Sequence, residues 1–140
     1  MAAGRYSFLI EQGATTSFEV QYKDSSNEPI DLDGYHARMQ IRPSITSNQI
    51  ICKLSSSIQA DGTGLNLSGS NGSTPLSSGS IGVYISAFSS SQFSSGSNPT
   101  WNEAYYNIEI VSGSGVSTYV DRILEGKVRL SLDVNRNGAP

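Results

Sequence analysis

Two residues limit the chemistry that the side chains of this sequence can perform, its one histidine and its one cysteine. A hydrolytic triad needs a nucleophile, a base and an orienting acid, and His36 is the only imidazole available as a base. His36 falls on the polar side of an alternating segment, which is typical of an exposed strand residue. The sequence contains no Gly-x-Ser-x-Gly elbow and no Gly-x-x-x-x-Gly-Lys phosphate loop. We therefore expect no catalytic residue and no enzymatic activity.

Metal and cofactor sites are equally weakly indicated. One Cys and one His exclude the usual zinc ligand sets. Asp31 and Asp33, with Asp24 and Glu28 nearby, offer the oxygen ligands that calcium prefers, but Pro29 occupies a position where the calcium loop pattern needs an acid. We expect a polar turn here and no metal or cofactor, with calcium at Asp31 and Asp33 left as the open alternative.

Cys52 has no second cysteine in the chain with which to form a disulfide. It follows two isoleucines, Ile50 and Ile51, so we expect it to pack as a small apolar residue.

Aromatic residues collect in the second half of the chain and could form a carbohydrate platform. They are Phe93, Trp101, Tyr105, Tyr106 and Tyr119. A period-two strand would place Tyr105 and Tyr106 on opposite faces, one in the core and one exposed. Exposed tyrosines are also enriched at protein interfaces, so carbohydrate binding and protein binding both stay open.

The composition favours an all-β chain that contacts neither nucleic acid nor membrane. Of 140 residues, 26 are serine and 14 glycine, which favours turns and polar strand faces over long helices. The net charge is −3, and the nine Lys and Arg are spread from Arg5 to Arg136 with no run of three, unlike a nucleic-acid binder. No apolar run approaches the roughly 20 residues of a membrane span, and the start lacks the apolar core of a secretory signal, so we expect synthesis in a cytoplasm.

Alternation of apolar and polar residues predicts the strands. In residues 35 to 42, Tyr35, Ala37, Met39 and Ile41 share one face, opposite His36, Arg38, Gln40 and Arg42. The same period predicts inward faces elsewhere: Phe18, Val20 and Tyr22; Ile81, Val83 and Ile85; Tyr106, Ile108 and Ile110; and Val128, Leu130, Leu132 and Val134.

Glycine-containing turns separate these segments. Residues 31 to 34 precede the strand at Tyr35, and residues 112 to 115 follow the strand that contains Tyr106. Glu125-Gly126 predicts a tight hairpin between strands at 117–124 and 127–134, because glycine accepts positive φ. The C-terminal third is therefore expected to be a three-stranded antiparallel meander.

The Ser/Gly-rich middle, residues 55 to 100, has two interpretations. It is either a flexible linker between two small halves or a set of long loops that flank real strands. We favour the loops, since Leu65 and Leu67 alternate with polar residues, the segment from Ile81 to Phe88 reads as a strand, and residues 89 to 93 could form one helical turn. Neither half offers enough strands to close a sandwich alone.

The expected architecture is one domain over residues 1–140, with an N-terminal arm at 1–5 and a C-terminal tail at 137–140. We expect an all-β, antiparallel sandwich of about seven to eight strands with long Ser/Gly-rich loops.

The order of several segments resembles a known group of proteins. Residues 13–18 open a strand, residues 29–42 join an acidic turn to the alternating strand, and residues 106–110, 122–130 and 133–136 follow near the end. This order resembles small structural proteins of tailed bacteriophages, and it is similar to the immunoglobulin-like N-terminal module of phage baseplate upper proteins. The resemblance covers about the first and last forty residues, and Asn135 stands where such proteins are expected to have threonine.

The resemblance implies an immunoglobulin-like sandwich that assembles, in the host cytoplasm, into a virion in several copies, in contact with other virion proteins. The expected place is the tail, at the baseplate or a fibre attachment point. The alternatives are a head decoration or neck and collar protein and, in a different class, a carbohydrate-binding adhesion module. The resemblance implies no active site.

Overall fold

A computed structural model describes residues 4–46, 48, 50–91, 103–113, 116 and 118–131 of the chain. Nine strands lie in this described part: β1 (Gly4–Arg5), β2 (Phe8–Glu11), β3 (Thr16–Gln21), β4 (His36–Arg42), β5 (Cys52–Ser55), β6 (Gly64–Asn66), β7 (Ser80–Ile85), β8 (Glu103–Ser112) and β9 (Tyr119–Ser131). A short 3-10 turn (Leu76–Ser78) precedes β7, and helix α1 (Ala87–Ser91) follows it. The protein is therefore all-β, as the sequence predicts.

The strands form two sheets. The larger sheet has the order β1-β9-β8-β4-β5, with β2 also paired to β9, and the smaller has the order β3-β7-β6. Within the larger sheet, β9, β8, β4 and β5 are antiparallel neighbours, whereas β1 and β2 run parallel to β9. The N-terminal strands β1 and β2 therefore form one edge of the larger sheet, beside the last described strand, β9.

One cluster of buried side chains fills the space between the sheets. In β4 the predicted register is confirmed, since Ala37, Met39 and Ile41 are almost fully buried and His36 and Arg38 are exposed. The other predicted inward residues also lie in or against this cluster, among them Phe18, Val20, Tyr22, Ile81, Val83, Ile85, Tyr106, Ile108, Ile110, Val128 and Leu130. Leu132 and Val134 lie outside the described residues. The stacking of two sheets through their apolar faces explains the alternation.

The predicted hairpin at Glu125-Gly126 is wrong, and with it the three-stranded meander. Strand β9 continues through both residues, from Tyr119 to Ser131, so the described residues of the C-terminal third form two strands, β8 and β9, where three were predicted. A Cβ placed on Gly126 would lie 2.1 Å from the carbonyl oxygen of Tyr6. Glycine is therefore present here because another backbone approaches closely and not because the chain turns.

That close approach coincides with the break between β1 and β2. The Tyr6 amide donates to the Glu125 carbonyl at 3.0 Å, while the Tyr6 carbonyl accepts the Tyr106 hydroxyl at 2.5 Å. The phenol of a core tyrosine thus satisfies a backbone group that the ladder to β9 leaves unpaired. The N-terminal residues Gly4 and Arg5, expected to be an arm, are strand β1.

A β-bulge in β9 changes which residues face inward. Ile108 pairs with Leu124 and Glu109 with Arg122, so Ile123 has no partner across the ladder. One extra residue reverses the alternation on either side of the bulge. Arg122 and Glu125 are three residues apart and would lie on opposite faces of a regular strand, but the bulge places both of them on the outer face.

Tyr22 and Asp121 connect the two sheets near the start of β9. Asp121 pairs with the buried Ile110 and accepts a short hydrogen bond from the hydroxyl of Tyr22, the residue after β3. Burial, followed by the bond to Asp121, raises the pKa of Tyr22 well above its ordinary value.

The Ser/Gly-rich middle contains real strands, as favoured from the sequence. Leu65 in β6 is fully buried, and β7 packs between β3 and β6. The strand predicted for residues 81–88 ends earlier, at Ile85, and Phe88 lies exposed in α1. The helical turn predicted at residues 89–93 begins at Ala87, while Gln92 and Phe93 lie outside the described residues.

A hydroxyl and a carboxylate fix the start of α1. Ser86 Oγ accepts the amide of Ser89 at 3.0 Å, the bond of an N-cap residue. Asp61 accepts the hydroxyls of Ser86 and Ser89 at 2.6 and 2.7 Å and the amide of Thr63 at 3.0 Å. The bonds from Ser86, Ser89 and Thr63 hold the pKa of Asp61 well below its usual range, since they favour the charged form.

Candidate interaction face

The outer face of the larger sheet carries most of the positive charge of the chain. Strand pairing determines which side chains lie on this face, because residues that pair across neighbouring strands point to the same side of the sheet. In one row Arg38 of β4 pairs with Glu109 of β8, which pairs with Arg122 of β9. Neighbouring rows contain Lys53, Gln40, Asn107 and Glu125, and then Arg42, Tyr105 and Lys127.

These rows line an open groove of about 770 Å³. Six of the nine Lys and Arg of the chain line it: Arg5, Arg38, Arg42, Lys53, Arg122 and Lys127. Only two carboxylates, Glu109 and Glu125, line it with them. We call this surface the cationic face, and it carries an excess of four positive charges in a chain whose net charge is −3.

Part of this charge is held in place by neighbouring side chains. Arg38 Nε lies 2.7 Å from Glu109 Oε1, Arg122 lies 3.6 Å from Glu125, and Lys127 lies 3.8 Å from Glu103. Lys127 also lies 6.0 Å from the ring centre of Tyr105. Exposed pairs of this kind add at most about 1 kcal/mol each, so they orient the cations more than they stabilise the fold.

Arg5 and Lys53 are the cations on this face that are available to a partner. Within the described part of the chain, Arg5 and Lys53 have no ion pair, and Lys53 is exposed. Arg42 donates to the Gln40 side chain at 2.7 Å. A guanidinium presents several donors in a planar fork, so the face is suited to carboxylates or other oxyanions.

Sequence reasoning missed this face because it examined the cations along the chain. The alternation of polar and apolar residues already indicated a cationic surface. Arg38 and Arg42 lie on one face of β4, and Lys127 and Arg129 lie on one face of β9. Only the pairing of β4, β8 and β9 shows that these polar faces adjoin.

The other residues singled out from the sequence do not converge on the cationic face. His36 is exposed at the start of β4, opposite Val111. Tyr105 lines the groove and Tyr106 is buried with its hydroxyl bonded to Tyr6, while Tyr119 is half exposed at the start of β9. Trp101 and Phe93 lie outside the described residues, as do the predicted tail residues 137–140.

The acidic residues considered for calcium form a structured turn. Asp24 accepts the amides of Ser26 and Glu28 at 2.8 and 3.0 Å, and Asp31 accepts the amide of Asp33 at 3.0 Å. These carboxylates organise backbone, as expected of a polar turn. Among the residues that the structure describes, no group of three or more His, Cys, Asp or Glu has metal-binding geometry.

Cys52 packs in the core margin, as predicted from its neighbours. It begins β5, pairs with Ile41 and contacts the buried cluster. Burial raises the pKa of its thiol to about 11. A thiol in such surroundings is a poor nucleophile at neutral pH.

A smaller apolar pocket of about 300 Å³ opens beside the edge strand β3, lined by Tyr6, Phe18, Glu19, Val20 and Leu124. Tyr6 is about half exposed, and its ring packs against Phe18 at 5.2 Å between centroids. The pocket marks the gap between the two sheets at the N-terminal edge.

No protein-family model matches the sequence, and comparison with curated proteins finds no relative. In the described part of the chain, no helix is both long enough and apolar enough to cross a bilayer.

Proposed function

We propose that this protein is a non-enzymatic structural component of a tailed-bacteriophage virion that assembles with other proteins through the cationic face. The observation that carries the assembly role is the grouping of six cations on one sheet face of an acidic chain. Potentials of opposite sign steer partners together and suppress wrong ones. The placement in a virion rests on the resemblance of the chain's segments to phage structural proteins.

The finer fold that we infer is immunoglobulin-like. If β3 to β9 are strands B, C, C′, D, E, F and G, the two sheets read B-E-D and G-F-C-C′. This is the arrangement of immunoglobulin sandwiches in which C′ extends the G-F-C sheet. The N-terminal strands depart from it, since β1 and β2 pair with β9 rather than with β3.

The surface composition supports an assembly role. Ser and Gly side chains have little conformational entropy to lose at an interface, whereas each immobilised long side chain costs about 0.5–1.5 kcal/mol. The edge strands β3 and β5 lie at the ends of their sheets, where backbone groups can pair with a partner strand. We place the protein at the baseplate or a fibre attachment point, in several copies, with a head decoration or collar position as the alternative.

The experiment that tests this function is quantitative mass spectrometry of purified particles, separated into heads and tails. A fixed stoichiometry in the tail fraction is the expected result. A fixed stoichiometry in heads would select the decoration or collar position instead. If the protein is missing from particles, the virion assignment is wrong.

A second candidate function is a carbohydrate-binding module. It is favoured by one observation, the partly exposed ring of Tyr105 in a groove with several hydrogen-bonding side chains. Binding of the isolated protein on a glycan array, lost in Tyr105→Ala and kept in Tyr119→Ala, would select this function. Failure to bind any glycan would remove it.

A further inference from the structure

The acidic counterpart of the cationic face lies on the same chain. Between β3 and β4, four exposed acids fall within ten residues: Asp24, Glu28, Asp31 and Asp33. We call this segment, residues 24–33, the acidic turn. The acidic turn carries four carboxylates, whereas six cations and only two carboxylates line the groove.

The acidic turn is a preformed protrusion. Lys23 and Pro29 form an isolated antiparallel bridge, and the Asp24 amide donates to the Glu28 carbonyl at 2.9 Å. Residues 24 to 28 between them are all exposed. At the base of the turn Leu32 is buried to 1% exposure, which anchors it to the core. An ordered protrusion has less entropy to lose on docking than a mobile loop.

Charges on both surfaces are unsatisfied within the described part of one chain. Glu28 and Asp33 make no ion pair there, and neither do Arg5 and Lys53. The groove, with a volume of about 770 Å³, is open along the sheet and suited to a convex partner. Complementary charge on two different surfaces of one molecule favours contact between two copies.

We propose that the acidic turn of one copy docks on the cationic face of a second copy, so that the chain self-assembles head to tail. This inference rests on the proposed assembly role of the cationic face. The contact is heterologous, since different surfaces meet, and it therefore builds a ring where the rotation closes and an open row where it does not. Either result places several copies in one assembly.

Salt dependence is the first test. In sedimentation velocity, we expect concentration-dependent oligomers at about 0.01 M ionic strength and their loss near 1 M, because the Debye length falls from ~30 to ~3 Å. A protein that stays monomeric at low salt and high concentration would overturn the proposal. Oligomers that are insensitive to salt would overturn it as well.

Charge reversal tests which surfaces meet. Lys53→Glu with Lys127→Glu reverses exposed groove residues, and Glu28→Lys with Asp33→Lys reverses carboxylates that have no described hydrogen bond. Each double variant alone should be monomeric, with at least a tenfold rise in the dissociation constant. A 1:1 mixture should associate again, because it pairs an intact turn with an intact face. Failure of the mixture to associate would contradict the proposal.

Glu11→Lys is the matched control for the single variant Glu28→Lys, because each of them reverses one exposed carboxylate. Glu11 is exposed at the end of β2 and pairs with Ser131, at the other end of β9 from the Tyr22–Asp121 contact beside the acidic turn. We expect this variant to associate like the wild type. Weakening equal to that of Glu28→Lys would show that net charge, not the turn, controls association.

Acetylation of the three lysines distinguishes a failure of this inference from a failure of the proposed function. Lys53 and Lys127 lie on the cationic face, and Lys23 lies at the base of the acidic turn. Self-assembly should protect all three from acetylation in assembled material. Protection of Lys53 and Lys127 alone, by another virion protein or by a polyanion such as heparin, overturns self-docking but leaves the cationic face as an interface. Protection of none overturns both.

Discussion

The role of a single residue in this protein depends on which residues lie near it in space. His36 was a candidate base because it is the only histidine, and the fold exposes it at a strand end. Asp61 drew no notice in the sequence, yet it holds two hydroxyls and an amide at the start of α1. The position of Cys52 could be predicted from its two apolar neighbours alone. Long-range contacts such as Asp61 to Ser86 leave no local signal.

Cys52 makes the stability of the folded protein decrease at alkaline pH. The native thiol has a pKa of about 11, above the ordinary value of 9.0, so the native state keeps a proton that the unfolded state releases. The contribution of the thiol to stability is complete below pH 9 and is lost as the pH rises to about 11. We expect Cys52→Ala to remove this part of the pH dependence of urea unfolding. Identical slopes in the two proteins would show that burial does not perturb the thiol.

Asp61 gives the opposite dependence at acidic pH. Its pKa is lowered in the native state, so its contribution to stability is present above the ordinary value of 3.8 and is lost as the pH falls below it. Asp61→Asn should lower the melting temperature at pH 7 and show a shallower loss of stability on acidification. Equal acid slopes for wild type and variant would exclude Asp61 as a stabilising group.

Strands were the elements most accessible to prediction. The periods that predict β3, β4, β7, β8 and the end of β9 arise from one buried face, which the sequence records directly. Pairing was less accessible, because period two does not reveal which strands are neighbours. The parallel pairing of β2 with β9 joins segments about 120 residues apart, and the cationic face depends on pairing of this kind.

The register of β4 can be tested by two adjacent substitutions. Met39 is 1% exposed, and Met39→Asp should destabilise by about 3–5 kcal/mol, as an uncompensated buried charge does. Arg38→Ser removes an exposed ion pair with Glu109 and should cost under about 1 kcal/mol. Chemical denaturation measures both, and equal effects would mean that the register is wrong.

Gly126 was predicted to lie in a turn, and it lies inside strand β9 instead. Adding a methyl group would push against the Tyr6 carbonyl, so Gly126→Ala should cost about 1–3 kcal/mol and expose the N-terminal strand to hydrogen exchange. Gly4→Ala is the control, since its new methyl would meet Leu124 at an ordinary 3.5 Å and should change stability by under about 0.5 kcal/mol. Similar effects of both variants would contradict the close approach.

At the scale of the whole molecule, the distribution of charge over the surface says more about binding partners than the net charge does. A net charge of −3 argued against polyanionic partners, but the fold separates an acidic turn from a cationic face. The electrostatic steering of a partner depends on the local potential at a surface and not on the net charge of the chain. This separation could not be predicted from composition, because it arises from which strands adjoin and from the bulge that places Arg122 beside Glu109.

We propose that the cationic face is the surface through which this protein assembles. Acetylation of Lys53 and Lys127, measured by mass spectrometry in the free protein and in purified virus particles, tests it most directly. We expect both lysines to react in the free protein and to be protected at least tenfold in particles. Equal reactivity in the two states would contradict this role of the cationic face, since lysines that are covered by a partner react more slowly than exposed ones.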